Sequence, residues 1–335
     1  MQLLKNYSLK DYNTFGVEAK ADFFVHVKSI SDLKNLLSNP QFTSLPKLFL
    51  GGGSNILLCS DFKGLVIHLG LKGIEELGNG LIRVQAGEGW HNFVMWSLEQ
   101  GYNGIENLSL IPGNVGAAPM QNIGAYGVEL RQVFVELEAL HISSGETRVF
   151  SNEACLFGYR ESIFKNKQKG NYVILSVTLK LQTNGIVNTS YGAISEVLRE
   201  KGIENPTPIQ VSDAVVSIRK SKLPDPVEIG NSGSFFKNPV VSSTDYDHIK
   251  KQYPEVPSYP SGEGRVKIPA AWLIEKAGWK GKRFGNYGVH KNQALVLVNY
   301  GGAKGEDIYQ LAQEIQASVK EKFDIHLKME VNIIP

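Results

Sequence analysis

Apolar residues recur along this chain with two periods, and the switches between them predict its elements. Residues 21–27 (ADFFVHV), 47–50, 66–69 and 81–85 read as strands, and 31–39 as a short helix. Residues 90–100 are helical, with Trp90, Phe93, Val94 and Leu98 on one face and Gly101 as the stop. Residues 134–142 and 172–181 form two strong strands, with a short helix expected between them at 151–157. Helices follow at 191–201, closed by Gly202, and at 210–220, ended by Leu223-Pro224-Asp225-Pro226. Proline disfavours helix at the residue before it, so that stretch is the best linker candidate. Beyond it come a strand at 234–237, a helix at 245–252, a helix opening at Pro269 and closing at Gly278, and a buried-type strand at 294–299. Ile308, Leu311, Ile315 and Val319 share one face of a long helix over 307–322. The last strand, 326–334, alternates: Leu327, Met329, Val331 and Ile333 face one way, His326, Lys328, Glu330 and Asn332 the other. Strands and helices mix without strict alternation, which predicts an α+β protein of several small layered domains.

Composition adds bounds rather than a function. The chain has 335 residues, enough for two or three domains, and its 42% hydrophobic and 20% charged content is ordinary for a globular protein. The net charge of +2 gives no broad electrostatic case for nucleic acid or membrane, although a basic pocket for a charged small molecule needs few cations. The two cysteines, Cys59 and Cys155, lie in no CxxC and near no His, and read as reduced, mostly buried thiols. No apolar run reaches the roughly 18 residues of a membrane span, and the N-terminus has no signal-peptide core. A reducing cytoplasm is the expected compartment.

Glycine changes the picture. Its 34 residues cluster at 51–53, 113–127, 278–288 and 301–305, which favours loop-built sites. Gly51-Gly52-Gly53-Ser54-Asn55 ends a strand with three side chains stripped away, so backbone N–H groups can approach an anion closely. The run IPGNVGAAPMQNIGAYG at 111–127 carries almost no charge and suits a loop wrapped around a large cofactor. Gly233-Ser234-Phe235-Phe236-Lys237-Asn238-Pro239 offers a hydroxyl, a cation and a carboxamide within a few residues. A flavin site and a proton donor in one chain point to a reductase. No GxGxxG opens a helix after a strand, and there is no P-loop, no GxSxG elbow and no His/Cys/Asp cluster at metal-ligand spacing. His290 and His326 stand alone and read as structural.

Together these motifs resemble the UDP-N-acetylenolpyruvoylglucosamine reductase (MurB) family through nearly the whole length and in order. They are Thr14-Phe15-Gly16, GGGSN at 51–55, the 111–127 run, Gly158-Tyr159-Arg160-Glu161-Ser162 with Phe164-Lys165, Ser221-Lys222-Leu223-Pro224-Asp225-Pro226, GSFFKNP at 233–239, Ala271-Trp272-Leu273-Ile274 and Leu327-Lys328-Met329-Glu330-Val331. Ser190-Tyr191-Gly192 resembles the tyrosine loop of the family's longer Gram-negative form (type I). The resemblance implies a vanillyl-alcohol-oxidase-type (PCMH-like) FAD-binding domain of two subdomains plus a family-specific C-terminal α+β domain. Residues 1–65, rejoined by 326–335, would be the first subdomain, 66–220 the second and 221–325 the substrate-binding domain.

The implied reaction passes a hydride from NADPH to non-covalent FAD, then to the enol ether of a UDP-sugar, giving UDP-N-acetylmuramate for peptidoglycan precursors. Charge developing beside the substrate carboxylate needs fixed cations or donors there and a proton at carbon. By resemblance, Arg160 holds the carboxylate bidentately, Ser234 donates the proton and Glu330 supports the developing charge. Beside that carboxylate, like charge would favour the protonated form of Glu330. FAD would lie against Gly51, Gly52, Gly53, Ser54, Asn55, Pro112, Gly113, Gly116, Gln121, Asn122, Gly124, Ala125 and Tyr126. Tyr159, Tyr191, Lys222, Asn238 and Gln293 would hold substrate, and no metal is implied. Two rivals remain open: a flavin-dependent alcohol or sugar oxidase of the same superfamily, and a non-catalytic flavin or nucleotide-sugar binder. The oxidase would turn over on oxygen without NADPH, and the binder has no need of Ser234, Arg160 and Glu330 together.

Overall fold

The alternating segments pair into sheets close to where their periodicity places them. The computed structural model describes residues 1–335 and divides into two compact units. The first comprises Met1–Tyr7, Ala21–Gly52 and Lys63–Ser221; the second comprises Ser8–Lys20, Gly53–Phe62 and Lys222–Pro335.

In the first unit, one four-stranded sheet has the order Leu3–Ser8, Lys20–Val27, Phe62–Leu69, Lys47–Leu50, its last pair parallel. The helix Ile30–Leu37 buries Leu33 and Leu36 among Val25, Val27, Leu65 and Ile67. A five-stranded antiparallel sheet has the order Thr147–Ser151, Phe134–His141, Tyr172–Lys180, Leu81–Gln85, Ile74–Gly78. Its inward residues meet Trp90, Phe93, Val94 and Leu98 of the helix Trp90–Glu99 in the unit's largest cluster. The helices Gly192–Glu200 and Pro208–Lys222 close on each other through Ile194, Leu198, Val211, Val215 and Ile218.

In the second unit, Gly230–Ser234, Val296–Asn299, Tyr287–Val289 and Arg283–Phe284 form an antiparallel sheet. The helix Gly305–Phe323 lays Ile308, Leu311, Ile315 and Val319 into the core with Phe235, Leu273 and Leu297. Its first residue, Gly305, packs so close to Ile56–Leu58 that a Cβ there would lie 1.8 Å from the Leu58 carbonyl. Asn13 knits the 9–17 turn, donating to the Leu9 and Val17 carbonyls and accepting from Val17 N–H.

Three expectations fail locally. Residues 151–157 form turns rather than a helix, after an exposed strand at Thr147–Ser151 that periodicity missed. Cys155 N–H still reaches the Ser151 carbonyl, but the turn ends where Leu156 takes φ +47°, and Asn152 Nδ2 is tied to the Arg131 and Phe134 carbonyls. The strand expected at 234–237 instead spans Gly230–Ser234. The segment 326–334 keeps its alternation, but only Asn332–Ile334 joins a ladder, parallel to Ile56–Leu58. Before that it pairs with the 235–237 stretch through Lys237 N–H to the Lys328 carbonyl and Glu330 N–H to the Phe235 carbonyl.

Candidate active site

In the second unit the site is built on a broken strand. Gly230 and Asn231 pair with Asn299 and Val298, but Ser234 pairs with Val296, so a bulge lies between Asn231 and Ser234. Gly233 takes φ +69°, a left-handed conformation that glycine adopts without penalty. Asn231, 2% exposed, holds the bulge: its Nδ2 donates to the Pro224 and Ile229 carbonyls and its Oδ1 accepts from Gly233 N–H at 2.9 Å. The bulge leaves Ser234 exposed between two buried phenylalanines and a buried asparagine-serine pair. Glu330 crosses beside it, its N–H bonded to the carbonyl of Phe235 at 2.8 Å. Asn55 Nδ2 donates to the Glu330 carbonyl at 3.2 Å, so part of the first glycine loop anchors the candidate acid. A Cβ on Gly53, at φ +60°, would lie 2.0 Å from the Tyr12 carbonyl.

Two of the expected substrate contacts are partly committed elsewhere. Asn238 Oδ1 accepts from Ala270 N–H at the start of the helix Ala270–Lys276. Gln293 Oε1 accepts from Leu295 N–H in the turn before Val296–Asn299. Lys222 is exposed at the end of its helix.

In the first unit, two loops without side chains face each other. A Cβ on Gly52 would lie 3.0 Å from both Gly113 Cα and Asn114 Oδ1, and one on Gly116 would lie 2.5 Å from Ala86 Cβ. Backbone approach this close, at a strand end and next to a second glycine loop after Pro112, suits the pyrophosphate and ring of the FAD expected from sequence. Gly124 and Ala125 pair with Glu129 and Val128, and Tyr126-Gly127 forms the turn between them. Both turn residues have positive φ, +49° and +81°, the geometry of a primed hairpin turn with a tyrosine where asparagine is usual.

Arg160 sits in a second tight turn, with Gly158 and Glu161 exchanging both backbone hydrogen bonds. Its φ is +55°, its Nη2 donates to the Gly124 carbonyl at 2.5 Å, and its guanidinium lies 5.3 Å from the Tyr159 ring centroid. Asn122, fully buried and left-handed at φ +45°, joins the two turns. It donates to the Gly158 carbonyl and to Glu129, and accepts from Arg131 N–H. Its side chain is therefore spent on protein, and only its peptide remains for a cofactor. Lys165 Nζ reaches Gln121 Oε1 at 3.4 Å.

Arg219 was not singled out by sequence. Its Nε donates to the carbonyl of Leu110, itself left-handed at φ +58°, and its guanidinium bonds the Tyr126 hydroxyl. It thus ties down both ends of the 111–127 loop. Burial lowers the Arg219 pKa, and burial raises that of Tyr126 despite the opposing effect of Arg219. Tyr126 packs edge-on against Tyr191, 5.1 Å between centroids, and Tyr191 is 43% exposed at the start of its helix. Four of the eight non-glycine residues with positive φ (Leu110, Asn122, Tyr126 and Arg160) lie in these loops, where backbone strain often accompanies function.

Burial pushes the Cys59 thiol up to about 11 and Cys155 to about 12, so neither is a thiolate nucleophile at neutral pH. No helix is long and apolar enough to cross a membrane.

The chain resembles known proteins over its whole length. Residues 21–151 match the model of an FAD binding domain, and residues 225–334 that of the UDP-N-acetylenolpyruvoylglucosamine reductase C-terminal domain. UDP-N-acetylenolpyruvoylglucosamine reductases from Flavobacterium johnsoniae and Amoebophilus asiaticus are 52% and 53% identical, each alignment covering 100% of both chains. That from Pseudomonas putida is 49% identical over 99% of each. The crystal structure of the Thermus caldophilus reductase superposes with a TM-score of 0.70 at 25% identity, covering 100% of this chain and 98% of that one.

Proposed function

The chain belongs to the UDP-N-acetylenolpyruvoylglucosamine reductase family, and from that premise we propose how its residues divide the work of the reaction. It is an FAD-dependent oxidoreductase that uses NADPH to reduce the enolpyruvyl ether of UDP-N-acetylglucosamine to the lactyl ether of UDP-N-acetylmuramate. Bound FAD supplies a two-electron hydride carrier between the two substrates.

Gly51 and Gly52, with the 112–126 loop, present backbone donors to the cofactor, and their lack of Cβ atoms is what admits it. Arg160 takes the substrate carboxylate in its planar fork. Addition of hydride to the terminal alkene carbon leaves negative charge on the neighbouring carbon and its carboxylate. Glu330 in its protonated form donates a hydrogen bond to that charge, and the Ser234 hydroxyl gives its proton to the carbon. A serine hydroxyl is a very weak acid, so it gives up its proton only to a base as strong as a carbanion. Lys222, Asn238, Gln293, Tyr159 and Tyr191 hold the remainder of the nucleotide sugar. The division of labour assigns cofactor binding to residues 1–220 with 326–335, and substrate binding to 221–325. The enzyme acts as a cytoplasmic monomer. The observation that most supports this reading is the bulge that exposes Ser234 beside the crossing of Glu330.

An anaerobic visible spectrum tests the whole scheme. The protein should be yellow, bleach with NADPH and regain its colour on addition of the enolpyruvyl ether. Bleaching by an alcohol or sugar, with recovery on oxygen alone, would instead establish the oxidase reading.

A further inference from the structure

The strand Phe62–Leu69 ends on a residue that the scheme above does not use. His68 lies with its Nδ1 2.7 Å from Nδ1 of His26, the ring centroids 4.8 Å apart, and it also hydrogen-bonds the backbone of Gly51. With Nδ1 facing His26, the bond to Gly51 runs from Nε2–H to the carbonyl. A neutral ring that donates from Nε2 accepts at Nδ1, so His26 must donate through its own Nδ1. The protons are therefore ordered in one direction, from His26 to His68 to the Gly51 carbonyl.

Packing keeps the relay in register. Phe24 stacks on His68 at 6.2 Å and Tyr7 on Phe24 at 4.6 Å. Gly70 supplies the notch for the partner ring, since a Cβ there would lie 2.5 Å from His26 Nε2. The charged groups facing the pair are Lys28 and Lys72, and Lys72 is itself paired with Glu88 at 3.3 Å. Burial, His26 and Lys72 hold His68 down to about 4, so the accepting Nδ1 stays unprotonated at neutral pH.

The Gly51–Gly52 peptide is trans, so its C=O and N–H point in opposite directions. Fixing the carbonyl on His68 fixes the Gly52 N–H on the other side, at a position where a Cβ would meet Gly113 Cα and Asn114 Oδ1 at 3.0 Å. We propose that the His26–His68 relay is a positioning device that aims the Gly52 N–H at the pyrophosphate of FAD. The proposal rests on the assignment of the 51–55 loop to FAD.

The test is FAD affinity of refilled apoprotein, followed by flavin fluorescence, for the native chain, His68→Leu, His26→Leu and His68→Gln. Each leucine variant should bind FAD about three- to tenfold more weakly at pH 7.5, the effect of one lost hydrogen bond. His68→Gln should bind close to native, because its Nε2 can replace the ring donor to Gly51. The rise in melting temperature on adding FAD should shrink in the leucine variants; a purely structural role would lower apo and holo melting equally. Native affinity should hold from pH 8 to about 5, where His68 keeps its accepting Nδ1 and its donor to Gly51. Ring 15N shifts should show His68 protonated on Nε2 alone. Native-like affinity in both leucine variants, or an Nδ1–H on His68, overturns the proposal. If His68→Leu does not fold, His26→Leu and the ring spectrum decide. A native protein that takes up no FAD would overturn the flavin assignment itself.

Discussion

In the proposed scheme the chemistry at Ser234 depends on one hydroxyl and on the bulge that presents it. Ser234→Ala removes the proposed proton donor while leaving the cofactor loops untouched. Bleaching by NADPH should keep its native rate, and recovery with the enolpyruvyl ether should slow by about 10²–10⁴, the usual worth of a positioned acid. Stopped-flow absorbance separates the two half-reactions, and equal slowing of both would remove Ser234 from the proton-donor role. In the proposed scheme Asn231 acts through Ser234 rather than on the substrate, since its side chain is bonded to backbone around the bulge. Asn231→Ala strands the Pro224 and Ile229 carbonyls and the Gly233 N–H in a site that is 2% exposed. The expected cost is about 2–3 kcal/mol in urea unfolding, with a slower second half-reaction in the protein that remains folded. Asn231 lies two residues before the Gly233–Pro239 motif and was not singled out by sequence, because an asparagine consumed by backbone looks no different from one facing a ligand.

The elements were legible where periodicity and burial agree. The helix Gly305–Phe323 and the strands Phe134–His141 and Tyr172–Lys180 bury the faces that their spacing marks. The Thr147–Ser151 strand was not legible, because it lies at a sheet edge with exposed side chains and carries no alternation to read. Nor could spacing show that 326–334 pairs with two different partners in succession, since alternation reports faces and not neighbours. The candidate site divides in the same way. Its glycines and Ser234 could be found in sequence, whereas Arg219 lies mid-helix, and its role arises from two left-handed residues that the fold brings to it. The Tyr126–Arg219 bond can be measured directly. Tyr126→Phe leaves a buried guanidinium with one fewer acceptor and should cost about 1.5–3 kcal/mol. Arg219→Met releases both loop ends, and FAD affinity should fall in each variant. A double-mutant cycle should find the two changes coupled by at least about 1 kcal/mol; simple additivity would mean that Arg219 does not act through Tyr126.

For the molecule as a whole, chain order and spatial grouping disagree. The chain passes between the two units at 7/8, 20/21, 52/53, 62/63 and 221/222, so the second unit draws Phe15, Val17 and Leu57 into a core otherwise made after residue 222. The proline stretch at 224–226 thus follows the last of these passages without being the sole boundary. A fragment of residues 222–335 lacks those core residues and the Ile56–Leu58 partner strand, and should show no cooperative melting by circular dichroism. Acid should act on the intact chain through its histidines. His26, His68, His91 and His290 all lie below their ordinary value of 6.5, chiefly through burial, with His68 near 4. Unfolded histidines take up protons near 6.5 that the native ones refuse, so the unfolded state binds more protons as pH falls. Stability from this source is complete above that pH and is lost progressively between it and about 4. The lowered Glu153, Glu255 and Asp324 act in the same direction at lower pH. At the alkaline end, Cys59 and Cys155 keep their protons above the ordinary thiol value of 9.0, and stability declines as pH rises past it. Urea midpoints of the FAD-saturated protein should therefore be flat between about pH 7 and 8.5 and fall steadily below 6.5. A midpoint that rose toward pH 5 would mean that the buried histidines gain a partner on protonation, contrary to the lysines and arginine that face them.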